Sequence, residues 1–386
     1  MNAYVKRDLY LNRLIVRRNN GQIKAITGPR RSGKSFLLDP IYKDYLISKG
    51  VPEDNIIIIS FDIEDEDTPQ ELLDREKLKE YLYSRIASQT ENYYVFLDEI
   101  QEVDGFERIV NGLNKRQNVD VYVTGSNSKF LSSEINTIFR GRSDEVSVLP
   151  FIFREFCQDR QESVNDLWKE YYTYGGLPAL RKMPTAEQKT TYLQKLWKKT
   201  YLDDVVERHN VENREALEAI ADALCSSIGS LTNTTRITNT LGSVRKIKIT
   251  DDTVAKYIGY LEEAFLFNEA RRYNIKGNRY YENIKKYYSI DVGLRNARLN
   301  YRQLEQTHLM ENIIFNELLY RGYVVDVGVV EHRKMVDGKS EYKQYEVDFI
   351  ATDGHEKYYI QSAYEIETEE KREQELNSLK RIDDSF

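Results

Sequence analysis

The sequence predicts an α/β fold that begins with a mostly parallel sheet of five strands. Through the first 150 residues, apolar segments of strand length alternate with segments whose apolar residues recur at helical spacing, as in sheets covered by helices. A glycine-rich segment follows the first predicted strand, and another strand is apolar throughout and ends in two carboxylates. Central parallel strands are buried on both faces and have this pattern. Their C-terminal ends open at the crevice where ligands bind.

The glycine-rich segment at residues 28–35, GPRRSGKS, matches G-x-x-x-x-G-K-[ST] at every fixed position. It lies between a strand predicted at residues 23–27 and a helix with apolar residues from 36 to 46. Backbone N–H groups and the positive end of the helix dipole converge on phosphate in such a turn. We expect ATP to bind here, with Lys34 on the β- and γ-phosphates and the Ser35 hydroxyl on Mg²⁺. The expected nucleotide-binding residues of this segment are Gly28, Pro29, Arg30, Arg31, Ser32, Gly33, Lys34, Ser35 and Phe36.

The acidic strand end is the second part of the predicted site. Residues 93–97 are apolar and lead directly into Asp98 and Glu99. We expect Asp98 to hold Mg²⁺ through water, and Glu99 to act as the general base that polarises the attacking water. The adjacent Glu favours hydrolysis of the nucleotide over phosphoryl transfer to a small molecule. A solvated strand end without a catalytic role is the alternative interpretation.

Three further strands are predicted at residues 55–61, 119–124 and 145–149. The strand at 119–124 is expected between the acidic strand and the strand before the glycine-rich segment. A polar side chain at its end could therefore contact the γ-phosphate. Ser126 and Asn127 are the candidates, and an ordinary turn is the alternative.

Several segments resemble bacterial and archaeal AAA+-type ATP-binding proteins that carry a C-terminal domain of unknown function. The resemblance extends from about residue 13 to residue 383 and implies a P-loop ATPase followed by that second domain. The segments similar to the ATPase part are GPRRSGKS, YYVFLDEIQEVDGFERIVNGL, VYVTGSNSKFL, FRGRSDEVSVLPFIFREF and YGGLPA. Those similar to the second domain are KYYSIDVGLRNA, LMENIIFNELLYRGYVVDVG, YEVDFIA and YIQSAY.

Two arginines, Arg140 and Arg142, precede the fifth predicted strand. In ring-forming ATPases, an arginine beside this region reaches the γ-phosphate of a neighbouring subunit and stabilises transition-state charge. The resemblance implies this catalytic role for Arg142, with Arg140 as the alternative, and it implies a homo-oligomer. A surface arginine paired with Asp144 or Glu145 is the other interpretation.

Composition limits the remaining classes. A chain of 386 residues predicts two or three domains, and its net charge of −7 argues against a wholly basic nucleic-acid binder. Two cysteines without a C-x-x-C spacing and four scattered histidines suggest neither a disulfide framework nor a zinc site. Because there is no signal peptide and no apolar run of membrane-spanning length, we expect a cytoplasmic protein without membrane contact.

After an ATPase domain at residues 1–150, we expect a helical and winged-helix module at residues 151–285. Three predicted helices followed by a hairpin are typical of a winged helix-turn-helix. Residues 231–280 contain nine Lys/Arg and five Asp/Glu, a local net charge of +4 in an acidic chain. This charge favours DNA contact, with the basic stretch of residues 271–279 expected to face phosphate. A module that only packs against its neighbours is the alternative.

The last predicted domain, residues 286–386, resembles an endonuclease-like α/β fold that lacks part of its site. The resemblance implies a carboxylate beside Asp348 from a helix that carries Glu311 and Glu317, and we expect Glu317 to supply it. Gln361 stands where the second strand carboxylate belongs, and Ala363 stands at the position of the water-orienting lysine. We therefore expect a scaffold or binding module without nuclease activity, and one that is incomplete at its C-terminal end.

The leading function is an ATPase whose nucleotide state controls attached modules acting on nucleic acid or a protein partner. The alternative is a nucleotide-gated scaffold with little turnover, for instance in host defence. A nuclease is disfavoured by the missing lysine and carboxylate. A small-molecule kinase is disfavoured by the paired carboxylates and the long additional modules.

Overall fold

The structure, a computed structural model, describes residues 4–62, 69–125, 138–139, 141–336 and 339–382. The chain divides into two compact units, Met1–Phe151 and Ile152–Phe386. Within the described ranges, no helix is both long enough and apolar enough to cross a membrane.

The first unit is built on a five-stranded sheet in the order β2-β3-β4-β1-β5. All four strand pairings are parallel, which confirms the predicted α/β fold with a parallel sheet. The fifth strand begins two residues earlier than predicted, because Ser143 pairs with Ile23 at the start of β1. The strands are β1 Ile23–Thr27, β2 Ile56–Ser60, β3 Tyr93–Asp98, β4 Val119–Thr124 and β5 Ser143–Ser147.

Helices cover this sheet, and apolar residues of β1 to β4 pack against them in one cluster. β1, β3 and β4 are buried along their whole length, as their apolar sequences require. The longer helices are Asp8–Arg17, Lys43–Ser48, Arg75–Arg85 and Phe106–Leu113, and shorter helical segments are Lys34–Phe36, Leu37–Tyr42, Glu53–Asn55, Gln70–Leu73 and Ile100–Glu102.

The second unit begins with a helical layer around one large apolar cluster that runs from Leu177 to Ala297. Its helices are Phe153–Phe156, Val164–Tyr174, Pro178–Lys182, Ala186–Lys195, Leu196–Leu202, Asp203–Arg208, Arg214–Ser226, Thr234–Thr240, Leu241–Arg245, Asp251–Glu263, Val292–Arg298, Gln306–Arg321 and Glu369–Leu379.

A mixed sheet completes the second unit, in the order β10-β9-β8-β6-β7. β6 and β8 are parallel, and the other pairings are antiparallel. The β6–β7 hairpin follows three helices, as predicted for a winged helix, but it belongs to the same sheet as the last three strands. The domain boundary expected between residues 285 and 286 therefore falls inside β7. The strands are β6 Phe267–Asn274, β7 Arg279–Ser289, β8 Val324–Val336, β9 Lys339–Thr352 and β10 Lys357–Ile360.

Two of the sequence motifs meet within this unit. The Asp291 carboxylate accepts a hydrogen bond from the backbone N–H of Gly176, 2.7 Å away, and also caps the helix Val292–Arg298. Asn296 donates to the Tyr172 carbonyl at 2.8 Å. A Cβ atom at Gly293 would lie 1.8 Å from the Tyr174 carbonyl oxygen. The YGGLPA turn and the segment after β7 are therefore held in direct backbone contact.

Candidate nucleotide-binding site

The glycine-rich loop joins the C-terminal end of β1 to the helix Lys34–Phe36. Gly28 has φ +133°, and a Cβ atom there would lie 2.3 Å from the Val148 carbonyl oxygen. Gly33 has φ +93° and immediately precedes the helix. Both positions therefore require glycine, for close approach at the first and for a left-handed backbone at the second.

Lys34 lies within this loop and is only 4% exposed. Its ammonium donates to the carbonyl oxygens of Gly28 and Pro29, each 3.1 Å away. Burial lowers the pKa of Lys34, while the nearby carboxylates of Glu99 and Asp98 act in the opposite direction. A buried cation in a loop of backbone amides fits the triphosphate of a nucleotide, which would supply the compensating negative charge.

The loop also contains a buried polar atom suited to a ligand. Among the described residues, the Ser32 hydroxyl oxygen has no hydrogen-bond partner, although Ser32 is fully buried. Such groups are normally satisfied. Together with the cradle around Gly28, this hydroxyl indicates that the loop is shaped to receive further hydrogen bonds.

Ser35 connects the loop to the acidic strand. Its hydroxyl donates to both carboxylate oxygens of Asp98, at 2.9 and 2.8 Å. Asp98 is the last residue of β3 and also accepts hydrogen bonds from Thr124 at 2.5 Å and from Ser60 at 3.5 Å. Burial raises the pKa of Asp98. A carboxylate beside a hydroxyl matches the oxygen ligands that Mg²⁺ prefers, so Ser35 and Asp98 would hold the ion.

Glu99 follows Asp98 in a left-handed backbone conformation, with φ +50°. Its backbone N–H donates to the Thr124 hydroxyl at 2.9 Å. Its carboxylate accepts a hydrogen bond from the Gln101 amide at 2.5 Å. The carboxylate is thus fixed at the same sheet edge as Lys34 and Ser35, where the attack on a bound γ-phosphate would take place.

Thr124 and Gln101 are residues that the sequence interpretation missed. Thr124 ends β4, and because Leu97 pairs with Val123, it lies opposite Asp98. Strand order and register could have revealed it. The predicted sensor residues Ser126 and Asn127 lie outside the described residues, as does Arg140.

Arg142 lies at the N-terminal end of the sheet strands, whereas the loop lies at their C-terminal end. It immediately precedes β5, whose Ser143 pairs with Ile23 at the start of β1, whereas the glycine-rich loop follows Thr27 at the end of β1. The length of a five-residue strand, roughly 17 Å, separates the two ends, so Arg142 cannot serve a nucleotide in its own unit. The suggested partners are engaged elsewhere: Asp144 pairs with Arg17 at 2.8 Å, and Glu145 accepts from Thr27 at 2.7 Å.

The outer residues of the loop are more accessible. Phe36 is 47% exposed, and its ring packs edge-on against that of Tyr4, with centroids 5.8 Å apart. Arg31 is exposed and has φ +65°, and Arg30 is partly buried.

One further side chain reaches the loop from outside the motif. Arg7 is 3% exposed and precedes the first helix. Its guanidinium donates to the Ser32 carbonyl at 3.0 Å and to the Leu149 carbonyl at 2.8 Å. It also stacks on the Tyr10 ring at 4.5 Å and the Phe151 ring at 5.1 Å. Arg7 thus ties the glycine-rich loop to the last residues of the first unit.

The acidic residues of the second unit correct one expectation. Glu317 pairs with Arg321 on its own helix at 2.7 Å, whereas Glu311 is the buried helix carboxylate. Glu311 accepts hydrogen bonds from Lys286 at 2.8 Å and Tyr288 at 2.6 Å. The Asp348 carboxylate accepts from both the backbone and the hydroxyl of Ser362.

The basic hairpin corrects another expectation. Arg272 is buried, with 7% of its surface exposed, so it cannot belong to a phosphate-facing surface. Arg271 is half-exposed but stacks on Tyr280 at 4.0 Å and lies 3.9 Å from Asp326. Lys276 and Arg279 at the hairpin turn are exposed.

Comparison with known proteins agrees with the fold. Residues 20–157 match the family described as "AAA domain", and residues 165–305 match a "Domain of unknown function" (DUF8612). The Walker-type ATPase PABY2304 of Pyrococcus abyssi shares the fold, with a TM-score of 0.53 at 16% identity, over 77% of this chain and 96% of that one.

Two relatives are similar over most of their length. An "Uncharacterized protein" of Haemophilus influenzae is 34% identical, over 100% of this chain and 92% of its own. "Uncharacterized protein MJ1544" of Methanocaldococcus jannaschii is 30% identical, over 91% of this chain and 77% of its own. The protein contains an AAA domain with a P-loop fold in its first unit, carries a domain of unknown function, and belongs to one family with these two relatives.

Proposed function

We propose that the protein binds ATP·Mg²⁺ at residues 28–35 and hydrolyses it to ADP and phosphate. The observation that carries this proposal is the pair of hydrogen bonds from Ser35 to Asp98, which joins the phosphate loop to the acidic strand in one site. The buried Lys34 ammonium and the loop amides bind the β- and γ-phosphates. Ser35 and Asp98 would hold Mg²⁺, which would supply positive charge to the phosphate oxygens.

Glu99 acts as the general base in this proposal. Its carboxylate accepts a proton from the water whose oxygen attacks the γ-phosphorus, while the bond from that phosphorus to the bridging oxygen of ADP breaks. Its position next to Asp98, fixed by Thr124 and Gln101, supports this role.

The test combines two variants of the site with a matched control. Lys34→Ala should abolish ATP binding in calorimetry, because the triphosphate loses its buried cation. Glu99→Gln should still bind ATP but hydrolyse it at least ~10²-fold more slowly, the range expected for one acid–base group. Lys115→Ala removes an exposed lysine and should change neither quantity. Unchanged ATP affinity in Lys34→Ala would contradict ATP binding at residues 28–35. Unchanged turnover in Glu99→Gln would contradict the role of Glu99 as general base.

The nucleotide state is proposed to control the second unit, which acts on DNA or a protein partner. The net charge of +4 over residues 231–280 and the exposed hairpin turn support DNA. ATP turnover measured with and without duplex and single-stranded DNA tests whether DNA is the partner, because a DNA partner should change the turnover rate. A chain that binds ATP tightly but turns over slowly in every condition would favour the alternative, a nucleotide-gated scaffold.

Arg142 is proposed to act in trans within a homo-oligomer, with Arg140 as the alternative. Its position at the end of the strands away from its own glycine-rich loop supports a role at a neighbour's nucleotide.

No nuclease activity is proposed for the second unit, because Gln361 and Ala363 replace the carboxylate and lysine of the endonuclease pattern. Plasmid cleavage that requires metal and is lost in Asp348→Ala would contradict this.

A further inference from the structure

Gln101 lies beside the proposed general base, and the motif analysis assigns it no role. It belongs to the short helix Ile100–Glu102, which begins directly after Glu99. Its amide nitrogen donates to Glu99 Oε2 at 2.5 Å and lies 3.5 Å from Glu102 Oε1. The side chain is 6% exposed. A buried amide therefore contacts the one carboxylate that the reaction uses.

Packing alone does not account for an amide at this position. Ile100 and Val103 in the same turn are apolar and fully buried, whereas Gln101 buries an amide. Within the described part of the chain, the Gln101 amide oxygen is buried without a hydrogen-bond partner. Burial of a half-satisfied amide is unfavourable. The contact with Glu99 is the interaction that distinguishes glutamine from an apolar residue here.

The backbone and the carboxylate of Glu99 are fixed separately. Its backbone N–H is held by the Thr124 hydroxyl at 2.9 Å, in a left-handed conformation. That contact restrains the backbone of Glu99, and the hydrogen bond from Gln101 restrains its carboxylate. A general base must be aimed at the proton that it accepts, and small errors in position are costly to rate.

We propose that Gln101 is a positioning residue for the base, orienting the Glu99 carboxylate toward the attacking water. The inference rests on the proposed ATP hydrolysis with Glu99 as base. Gln101 exchanges no proton: the proton of water passes to Glu99, and the amide keeps its hydrogen bond to the other carboxylate oxygen. Its loss should therefore lower kcat and leave nucleotide binding intact.

The test measures kcat and ATP·Mg²⁺ affinity in Gln101→Met, which keeps the length and approximate volume of the side chain but cannot donate. Gln101→Leu is the second variant, of similar size and also without a donor. We expect kcat to fall about 10- to 100-fold in both, with affinity within about twofold of wild type. Asn55→Asp is the matched control. Asn55 is buried in the same unit but precedes β2. It lies at the N-terminal end of the strands, away from the loop, so the variant should keep wild-type kcat.

A double-mutant cycle separates positioning from a structural effect. If Gln101 acts through Glu99, adding Gln101→Met to Glu99→Gln should slow single-turnover hydrolysis no further, because the base is already absent. Multiplied losses, wild-type kcat or faster turnover in Gln101→Met would each overturn the inference while leaving the proposed function standing. Absence of turnover in the wild-type chain, or an unchanged Glu99→Gln variant, would overturn the proposed hydrolysis by Glu99 and this inference with it. Thermal unfolding identifies any variant that fails to fold. If one of the two Gln101 variants fails to fold, the kcat of the other tests the positioning role.

Discussion

At the residue scale, Thr124 holds together the two acidic residues of the site. Its hydroxyl donates to Asp98 at 2.5 Å and accepts from the Glu99 backbone at 2.9 Å. Both partners lie at a buried strand end, where an unpaired polar group costs about 1–3 kcal/mol. A threonine at this position therefore affects both the metal-holding carboxylate and the base.

We predict that Thr124→Val, which has nearly the same shape, lowers kcat about tenfold or more and raises the Mg²⁺ concentration needed for half-maximal turnover, because two buried hydrogen bonds are lost. Thr124→Ser keeps the hydroxyl, so both its kcat and its half-maximal Mg²⁺ concentration should stay within about threefold of wild type. A Mg²⁺ titration of turnover measures both. Equal Mg²⁺ dependence in the valine and serine variants would show that the hydroxyl has no role in the site.

Several of the residue positions follow from sequence motifs, and others depend on contacts that a single sequence does not display. The loop and the acidic strand meet as expected, because both end at the same edge of a parallel sheet; the catalytic roles of their residues stay predictions. Thr124 was missed because its importance depends on strand register, and Gln101 was missed because its importance depends on the tight turn after Glu99. Arg272 was assigned to the surface because its burial depends on strands that follow it by about 50 residues in the chain.

At the element scale, the helix Val292–Arg298 determines how the helical layer of the second unit closes. Its N-terminal Asp291 and its Asn296 both bind the backbone around the YGGLPA turn. Gly293 allows that backbone to approach within contact distance. The sequence identified both motifs as family features, but their contact joins segments more than 100 residues apart and could not be derived from local patterns.

We predict opposite effects for two Gly→Ala changes in helices of this unit. Gly293→Ala places a methyl group 1.8 Å from the Tyr174 carbonyl oxygen and should destabilise by roughly 3 kcal/mol or more, as overpacking against backbone does. Gly259→Ala meets no atom within 4 Å and lies inside the helix Asp251–Glu263. It should stabilise by roughly 0.5–1 kcal/mol through helix propensity.

Urea unfolding of the full chain, followed by circular dichroism, measures both changes. If Gly293→Ala is tolerated as well as Gly259→Ala, the backbone contact at Tyr174 does not determine the stability of the unit. The two variants add the same methyl group, so the comparison removes composition as a variable.

At the scale of the whole molecule, the hairpin is part of the second-unit sheet. β6 pairs with β7 on one side and with β8 on the other. Three helices followed by a hairpin agree with the sequence pattern, yet the pattern could not show that the hairpin continues a sheet whose next strand begins only at Val324. Its exposed turn, rather than Arg272, is the part available to a phosphate backbone.

If DNA is the partner, reversing the turn charges in Lys276→Glu/Arg279→Glu should weaken binding and reduce its salt dependence, because fewer counterions are released. The matched control is Lys371→Glu/Arg372→Glu, two exposed residues on the helix Glu369–Leu379, which changes the net charge equally. Fluorescence anisotropy over a series of salt concentrations measures the slope. Equal weakening by both variants would indicate a net-charge effect, and absence of binding would move the partner from DNA to protein.

The buried Arg7 has a practical consequence for anyone who wishes to express the ATPase part alone. The matched AAA family begins at residue 20, and a fragment cut there would lose the guanidinium that binds Ser32 and Leu149. It would also lose the buried Tyr10, whose hydroxyl accepts from the Leu149 backbone N–H at 2.9 Å. Two carbonyl groups and one N–H would be left without these partners next to the phosphate loop. A fragment intended to bind nucleotide should therefore start before Arg7, upstream of the family boundary at residue 20, and should extend past Phe151.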